Sequence, residues 1–179
     1  MELTPKQRGV LKGMVAGATT TVVAVIAAIV AGPLSPFPEA STGERIAFAL
    51  KADAVIVLWL AVSIGWLARH RFFTPGDIDG GGLSQGTEKA RILQATLQNT
   101  LEQTVLAVLV HSLWATMMPV AWILAIPAAA VLFLCGRVLF VRGYGGGAPS
   151  RALGFALTFY PSVLMLIVIV VATLAKWVV

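Results

Sequence analysis

The sequence predicts an all-α, integral membrane helical bundle, and three observations carry that prediction. Apolar residues fill 58% of the 179 positions and charged residues only 12%, with a mean hydropathy of +0.88. The apolar residues gather into five long stretches, and a helix needs about 20 residues to cross a bilayer core. Glycine or proline stands at nearly every boundary between stretches, as helix ends require. The chain suffices for one domain whose surface faces lipid rather than water. Its net charge of +5 sits at the ends of apolar runs, with no basic stripe interleaved with aromatics, so nucleic acid is not expected as a partner.

The first helix is expected from about Gly13 to Ala31, closed by Gly32 and Pro33. Lys6, Arg8 and Lys12 precede it as basic residues precede a signal peptide, but the run outlasts an ordinary signal core and Pro33 stands where cleavage would fall. A retained helix is therefore expected. The second runs from about Ala52 to Ala68, with Lys51 and Asp53 as end charges near the outer surface. The third covers about Ala90 to Met118, the fourth about Val120 to Val141, and the fifth about Ala152 to Ala175. Pro127 and Pro161 fall inside apolar runs and are expected to kink them. Gly80–Gly82 reads as a flexible linker; at Gly145–Gly147 a close backbone approach to a ligand stays open beside the linker reading.

Charge orients the five spans. Ten of the 13 Lys and Arg residues lie on the side of the N-terminus, against Arg45, Lys51 and Lys176 on the other. Basic residues concentrate on the cytoplasmic side, so the N-terminus is expected inside and the C-terminus outside a bacterial inner membrane. Cys135, the single cysteine, excludes an internal disulfide and is expected to be a small buried hydrophobe. His70 and His111 lie far apart without a ligand motif, so no metal is expected.

The informative residues are polar ones at membrane depth. Gln94, Gln98, Asn99, Glu102 and Gln103 make the first half of the third helix polar, while the stretch from Val105 to Leu113 is almost wholly apolar. That asymmetry predicts a polar cavity open to the cytoplasmic side. Asn99 and Glu102, three apart, share a face, and Arg91 lies nearly three turns before Glu102. An ionised carboxylate at this depth costs a few kcal/mol, about 2.5–3.5 on insertion scales, so it marks a site with partners. The expected partners are Arg137 and Arg151; a buried ion pair that only fixes helix register is the plainer alternative. Arg137 and Tyr144, seven apart, share a face of the fourth helix, and Arg151 stands near the N-terminus of the fifth, a place that favours anions. His111, half a rotation from Glu102, points away from this face and is read as packed or interfacial rather than as a base. A small ligand with two carboxylates, an amine and a thiol fits such a set, and a thiol beside Arg⁺ ionises to the nucleophilic thiolate.

The run Asn99-Thr-Leu-Glu102, Arg137 with Tyr144 seven residues on, and Arg151-Ala-Leu-Gly-Phe155 resembles the MAPEG family, membrane-associated proteins of eicosanoid and glutathione metabolism. The similarity spans roughly residues 50–177. It implies a division into residues 1–49, an N-terminal tail with an added helix and outer loop, and 50–179, the four-helix family domain. It further implies a homotrimer that binds glutathione as co-substrate between subunits, in contact with membrane lipid, with a lipophilic substrate entering from the bilayer. By matching position, Asn99 and Glu102 would hold the glutathione backbone and amine, Arg137 and Tyr144 would line the site, and Arg151 would stabilise the thiolate. The activity implied is that of a transferase or peroxidase. The chain departs from the family pattern at Ala95, where an arginine is usual, at Phe140 and at Gln103, where leukotriene-forming members carry tyrosines. Arg91, one turn before Ala95, is placed to serve the same ligand. Arachidonate-derived substrates are not expected. A non-catalytic lipid-binding or scaffold protein of the same fold is the alternative, and a small transporter subunit a third.

Overall fold

The computed structural model describes residues 2–32 and 40–178, and side chains to residue 175. Residues 33–39, Pro33 among them, and the side chain of Lys176 lie outside the described residues. Five helices follow in order: α1 Pro5–Val30, α2 Thr42–Phe72, α3 Glu88–Met117, α4 Ala125–Gly143 and α5 Ala148–Val178. Among the described residues there is no strand. Among the described residues, four helical segments are long and apolar enough to cross a membrane. The fifth helix, α3, falls short on composition because its first half is polar, yet it packs along α2 and α5 as a full member of the bundle.

Two helices begin well before their apolar runs. Thr4 caps α1 and Ser41 caps α2, and in each the residue three on, Gln7 or Glu44, bonds back to the cap. Pro5 occupies the first turn of α1, where its missing N–H costs nothing. The early start of α2 places Asp53 twelve residues into the helix, not at its end. Asp53 is 1% exposed and lies in the bundle, which corrects the expectation of a surface end charge. Pro127 falls in the first turn of α4, so only Pro161 stands in a helix interior.

The core divides along the bundle. The apolar half holds Val110, Trp114, Ile123, Ile126, Met165 and Ile169, drawn from α3, α4, α5 and the turn at Val120–Trp122. At that end the Trp114 indole N–H donates to the Trp122 carbonyl at 3.0 Å, and the Arg45 guanidinium donates to the Met118 carbonyl. The buried face of α4 runs through Ala129, Phe133, Gly136, Arg137 and Phe140. Cys135 lies off that face and is exposed, contrary to expectation, because helical periodicity turns it outward.

Glycines set two close crossings. A Cβ at Gly136 would stand 2.7 Å from the Gly154 carbonyl oxygen, so α4 and α5 meet backbone to backbone. Along α1, a Cβ at Gly9 would stand 2.9 Å from the Pro149 Cβ, and one at Gly13 would stand 2.8 Å from the Ala152 Cβ, with Gly17 closer still to Ala156. This is the small-residue packing by which helices approach in lipid.

The connection from α2 to α3 is an ordered turn, not a flexible linker. Gly80 takes φ +79°, its N–H donates to the Asp77 carbonyl at 3.1 Å, and its own carbonyl accepts from Leu83 and Ser84. Asp77 ties the turn to the start of α3: it accepts from the Thr87 backbone N–H and hydroxyl, each at 2.7 Å, and lies 3.0 Å from His70 Nε2. The Thr87 hydroxyl and then its N–H hold the Asp77 carboxyl below the usual aspartate range, against burial, and His70 lowers it further. A depressed carboxyl stabilises the fold above its ordinary pKa, and that contribution is lost as pH falls through the depressed value. Protection of residues 74–87 against hydrogen exchange, taken relative to the intrinsic rate at each pH, is therefore expected to stay high at neutral pH and to fall as pH drops below 3.8, the ordinary aspartate value. Asp77→Asn should be poorly protected already at neutral pH; equal protection in both proteins would show that the carboxylate does not anchor the turn.

Candidate functional site

The site lies in the polar half of the bundle, where α3, α4 and α5 meet beside α1. Arg137 is 0% exposed. Its Nη1 donates to Asn99 Oδ1 at 2.9 Å and its Nη2 to the Thr158 hydroxyl at 2.5 Å, while the guanidinium lies 4.7 Å from the Phe140 ring centroid and 5.6 Å from that of Phe133. Its Nε has no hydrogen-bond partner. Asn99 is half-buried and thereby fixed by the cation behind it.

Arg151 sits in the first turn of α5, where the unpaired helix N–H groups already give a positive potential. Its guanidinium stacks 4.4 Å from the Tyr144 ring centroid. Tyr144 is positioned by the tight turn that follows α4, whose last glycine, Gly147, adopts φ +81°. Among the described residues the contacts of carboxylates with basic side chains are two His–Asp pairs. Arg137 and Arg151 thus lack an acidic counter-ion among the described residues; Arg137 is enclosed, whereas Arg151 lines a cavity and offers its charge to an anion there.

Two cavities adjoin here. One, of about 440 Å³, is lined mainly by apolar and aromatic groups with Asn99, Tyr144 and Arg151 on its wall. The other, of about 530 Å³, is lined by Arg71, Arg91, Gln94, Gln98 and the glycine turn at Gly80–Gly81, with Asp77, engaged by Thr87 and His70, as its one acidic residue. Ala95 lines both cavities. Arg71 Nη2 donates to Gln94 Oε1 at 2.9 Å, which fixes one side of the cationic chamber.

The structure brings Asn99, Tyr144 and Arg151 together on one cavity and sets Arg137 behind Asn99. Arg91 lies on the adjoining cavity. Glu102 does not pair with Arg137 or Arg151: it is exposed and accepts from Gln98 Nε2 at 3.0 Å. Three residues turn a helix by about 300°, and that residual 60° sends Asn99 toward α4 and α5 and Glu102 to the open flank.

Sequence reasoning missed Arg71, whose partnership with Gln94 spans the α2–α3 connection, and the apolar residues that α1 and α5 add to the smaller cavity. It also missed the buried pair His111–Asp53, joined at 2.6 Å from Nδ1 to Oδ1. The capping sequence from Ser41 to Glu44 was the available signal, since it moves the start of α2 and carries Asp53 inward.

The MAPEG family model matches residues 46–171, beginning after α1. No curated protein and no solved structure matched the chain.

Proposed function

Because the chain belongs to the MAPEG family, we propose that it is a membrane-bound glutathione-dependent transferase or peroxidase acting on lipophilic electrophiles. Membership supports a role in membrane glutathione or eicosanoid metabolism. The observation that carries the finer reading is the pair of cavities adjoining at Ala95, one cationic and one apolar. Glutathione, with two carboxylates, suits the chamber of Arg71 and Arg91. Asn99, oriented by Arg137, offers its amide to the peptide portion. The thiol passes Ala95 toward Arg151, whose charge favours the thiolate, the released proton going to solvent.

The thiolate then forms an S–C bond to the electrophilic carbon, and the leaving group departs with its electron pair. With a hydroperoxide it attacks the terminal oxygen; the O–O bond breaks, the alkoxide takes a proton, and a second glutathione converts the sulfenic acid to disulfide and water. Arg151 is the catalytic residue. Arg91, Asn99, Glu102 and Tyr144 are binding residues, and Arg137 acts through Asn99.

A homotrimer in the membrane completes the reading. Glu102 and Gln98 are exposed midway along α3, and a charged group facing lipid at that depth is costly. A second copy against this flank would cover them and bring Glu102 to the ligand. The N-terminus faces the cytoplasm on the distribution of Lys and Arg.

The test is ultraviolet difference absorbance of the purified protein titrated with glutathione. A saturable thiolate band is expected, and Arg151→Ala should abolish it while leaving the oligomer intact. A band of wild-type size in that variant would remove Arg151 from the chemistry; no band and no binding of glutathione would favour a lipid-binding role.

A further inference from the structure

Helix α1 lies ahead of the family match, yet it builds part of the smaller cavity. Val10 and Met14, one turn apart on α1, line the same space as Arg151, Phe155 and Tyr160 of α5. They are held there by backbone geometry. Gly9 and Gly13, interleaved with them, let α1 approach Pro149 and Ala152 so closely that a Cβ at either glycine would come within 2.9 Å of a neighbour. The register of α1 on α5 is thus set by contacts that cannot give way, and the side chains between the glycines project at a fixed height.

We propose that α1 is the specificity wall of this cavity: Val10 and Met14 set its width for a flat, apolar aromatic molecule. The remaining walls support that choice. Phe140, Tyr144, Phe155 and Tyr160 offer ring faces and edges, which favour stacking with another ring. The Met14 thioether is polarisable and suits contact with an aromatic edge. Arg151, already 4.4 Å from the Tyr144 ring and without an acidic partner among the described residues, adds a cation at the rim that can donate to oxygen substituents on a bound ring. That the occupant is the acceptor of a thiol rests on the transferase reading of Arg151; that it binds against Met14 does not.

Two measurements on the full chain in lipid nanodiscs separate these. The first is photolabelling with benzophenone in the absence of glutathione, with labelled peptides mapped by mass spectrometry. Label is expected on α1 near Met14 and on α5 between Arg151 and Tyr160, displaced by excess 1-chloro-2,4-dinitrobenzene. Met14→Trp should remove it about tenfold. Val15→Trp, on a neighbouring exposed position of the same helix, should leave it unchanged. Equal labelling in the two variants, or label on α5 with none on α1, overturns the proposal.

The second is steady-state transfer to 1-chloro-2,4-dinitrobenzene. Met14→Trp should raise KM about tenfold with kcat within about twofold and the thiolate band intact. A fall in kcat with unchanged KM would overturn the assignment of Met14 to acceptor width. Absence of a thiolate band in the wild-type protein, with Met14-dependent labelling retained, would strike the transferase reading and leave the binding cavity standing.

Discussion

Replacing His111 with leucine is expected to destabilise the bundle by about 1–3 kcal/mol, the cost of leaving a buried hydrogen-bonding group without its partner. His111 and Asp53 are each 1% exposed, and Nδ1 lies 2.6 Å from Oδ1. The far atoms, Asp53 Oδ2 and His111 Nε2, have no hydrogen-bond partner, nor do Trp59 Nε1 and Gln103 Oε1 on the same two helices. Asp53 therefore has no second hydrogen bond to hold it when the imidazole is removed. The double variant Asp53→Leu/His111→Leu should regain most of the loss, because two apolar residues remove the desolvation cost together with the bond. Unfolding in detergent, followed by far-ultraviolet circular dichroism, distinguishes the cases. A double variant as unstable as the single one would show that the pair contributes shape rather than mutual hydrogen-bond satisfaction.

The second large effect lies at the crossing of α4 and α5. Gly154→Val is expected to cost about 1–3 kcal/mol, the usual range for overpacking. Its Cβ would stand 2.7 Å from the Gly136 carbonyl oxygen and 2.7 Å from the Phe140 Cα, both backbone atoms that cannot rotate away. The loss would extend to function. Arg137 on α4 reaches Thr158 on α5 across this crossing, so separating the helices lengthens the bond that steadies the guanidinium behind Asn99. On the proposed glutathione-dependent activity, glutathione affinity should fall with stability. Gly65→Ala, on α2 with no neighbour within 4 Å, is the matched control and should not lose stability. If both variants melt alike, close approach is not what holds α4 to α5.

The helices were legible because apolar length, glycine and proline speak directly about membrane spans, and all five stretches became helices. Their ends were less so. Apolar composition marks where a helix can sit in lipid, whereas Thr4 and Ser41 mark where the backbone begins to coil, and the two differ by up to ten residues in α2. Asp53 was misplaced for that reason.

Within the site, Asn99, Tyr144 and Arg151 share a cavity as their helical placement suggested. Glu102 and Arg137 separate because a shared face is only an arc, and an arc of some 60° was enough to part Asn99 from Glu102. Arg71, Val10 and Met14 could not be found from local periodicity. Their relation to the site depends on which helices become neighbours, and that is decided by glycines and crossings spread along the chain.

The seating of α1 on α5 carries a consequence for how the molecule comes to be built. The glycine ladder of α1 finds its complement at Pro149, Ala152 and Ala156, with α2, α3 and α4 lying between them in the chain. A helix that emerges early must therefore wait in the bilayer for one made late, with most of its own surface against lipid. Contacts of such long sequence separation are formed late, after shorter loops have closed. The hairpin of α2 and α3 and the pair α4 and α5 are local and can assemble first. The chamber around Met14 and Arg151 is then the last region to acquire its walls, and it is the region where premature release from the insertion machinery would leave an incomplete protein.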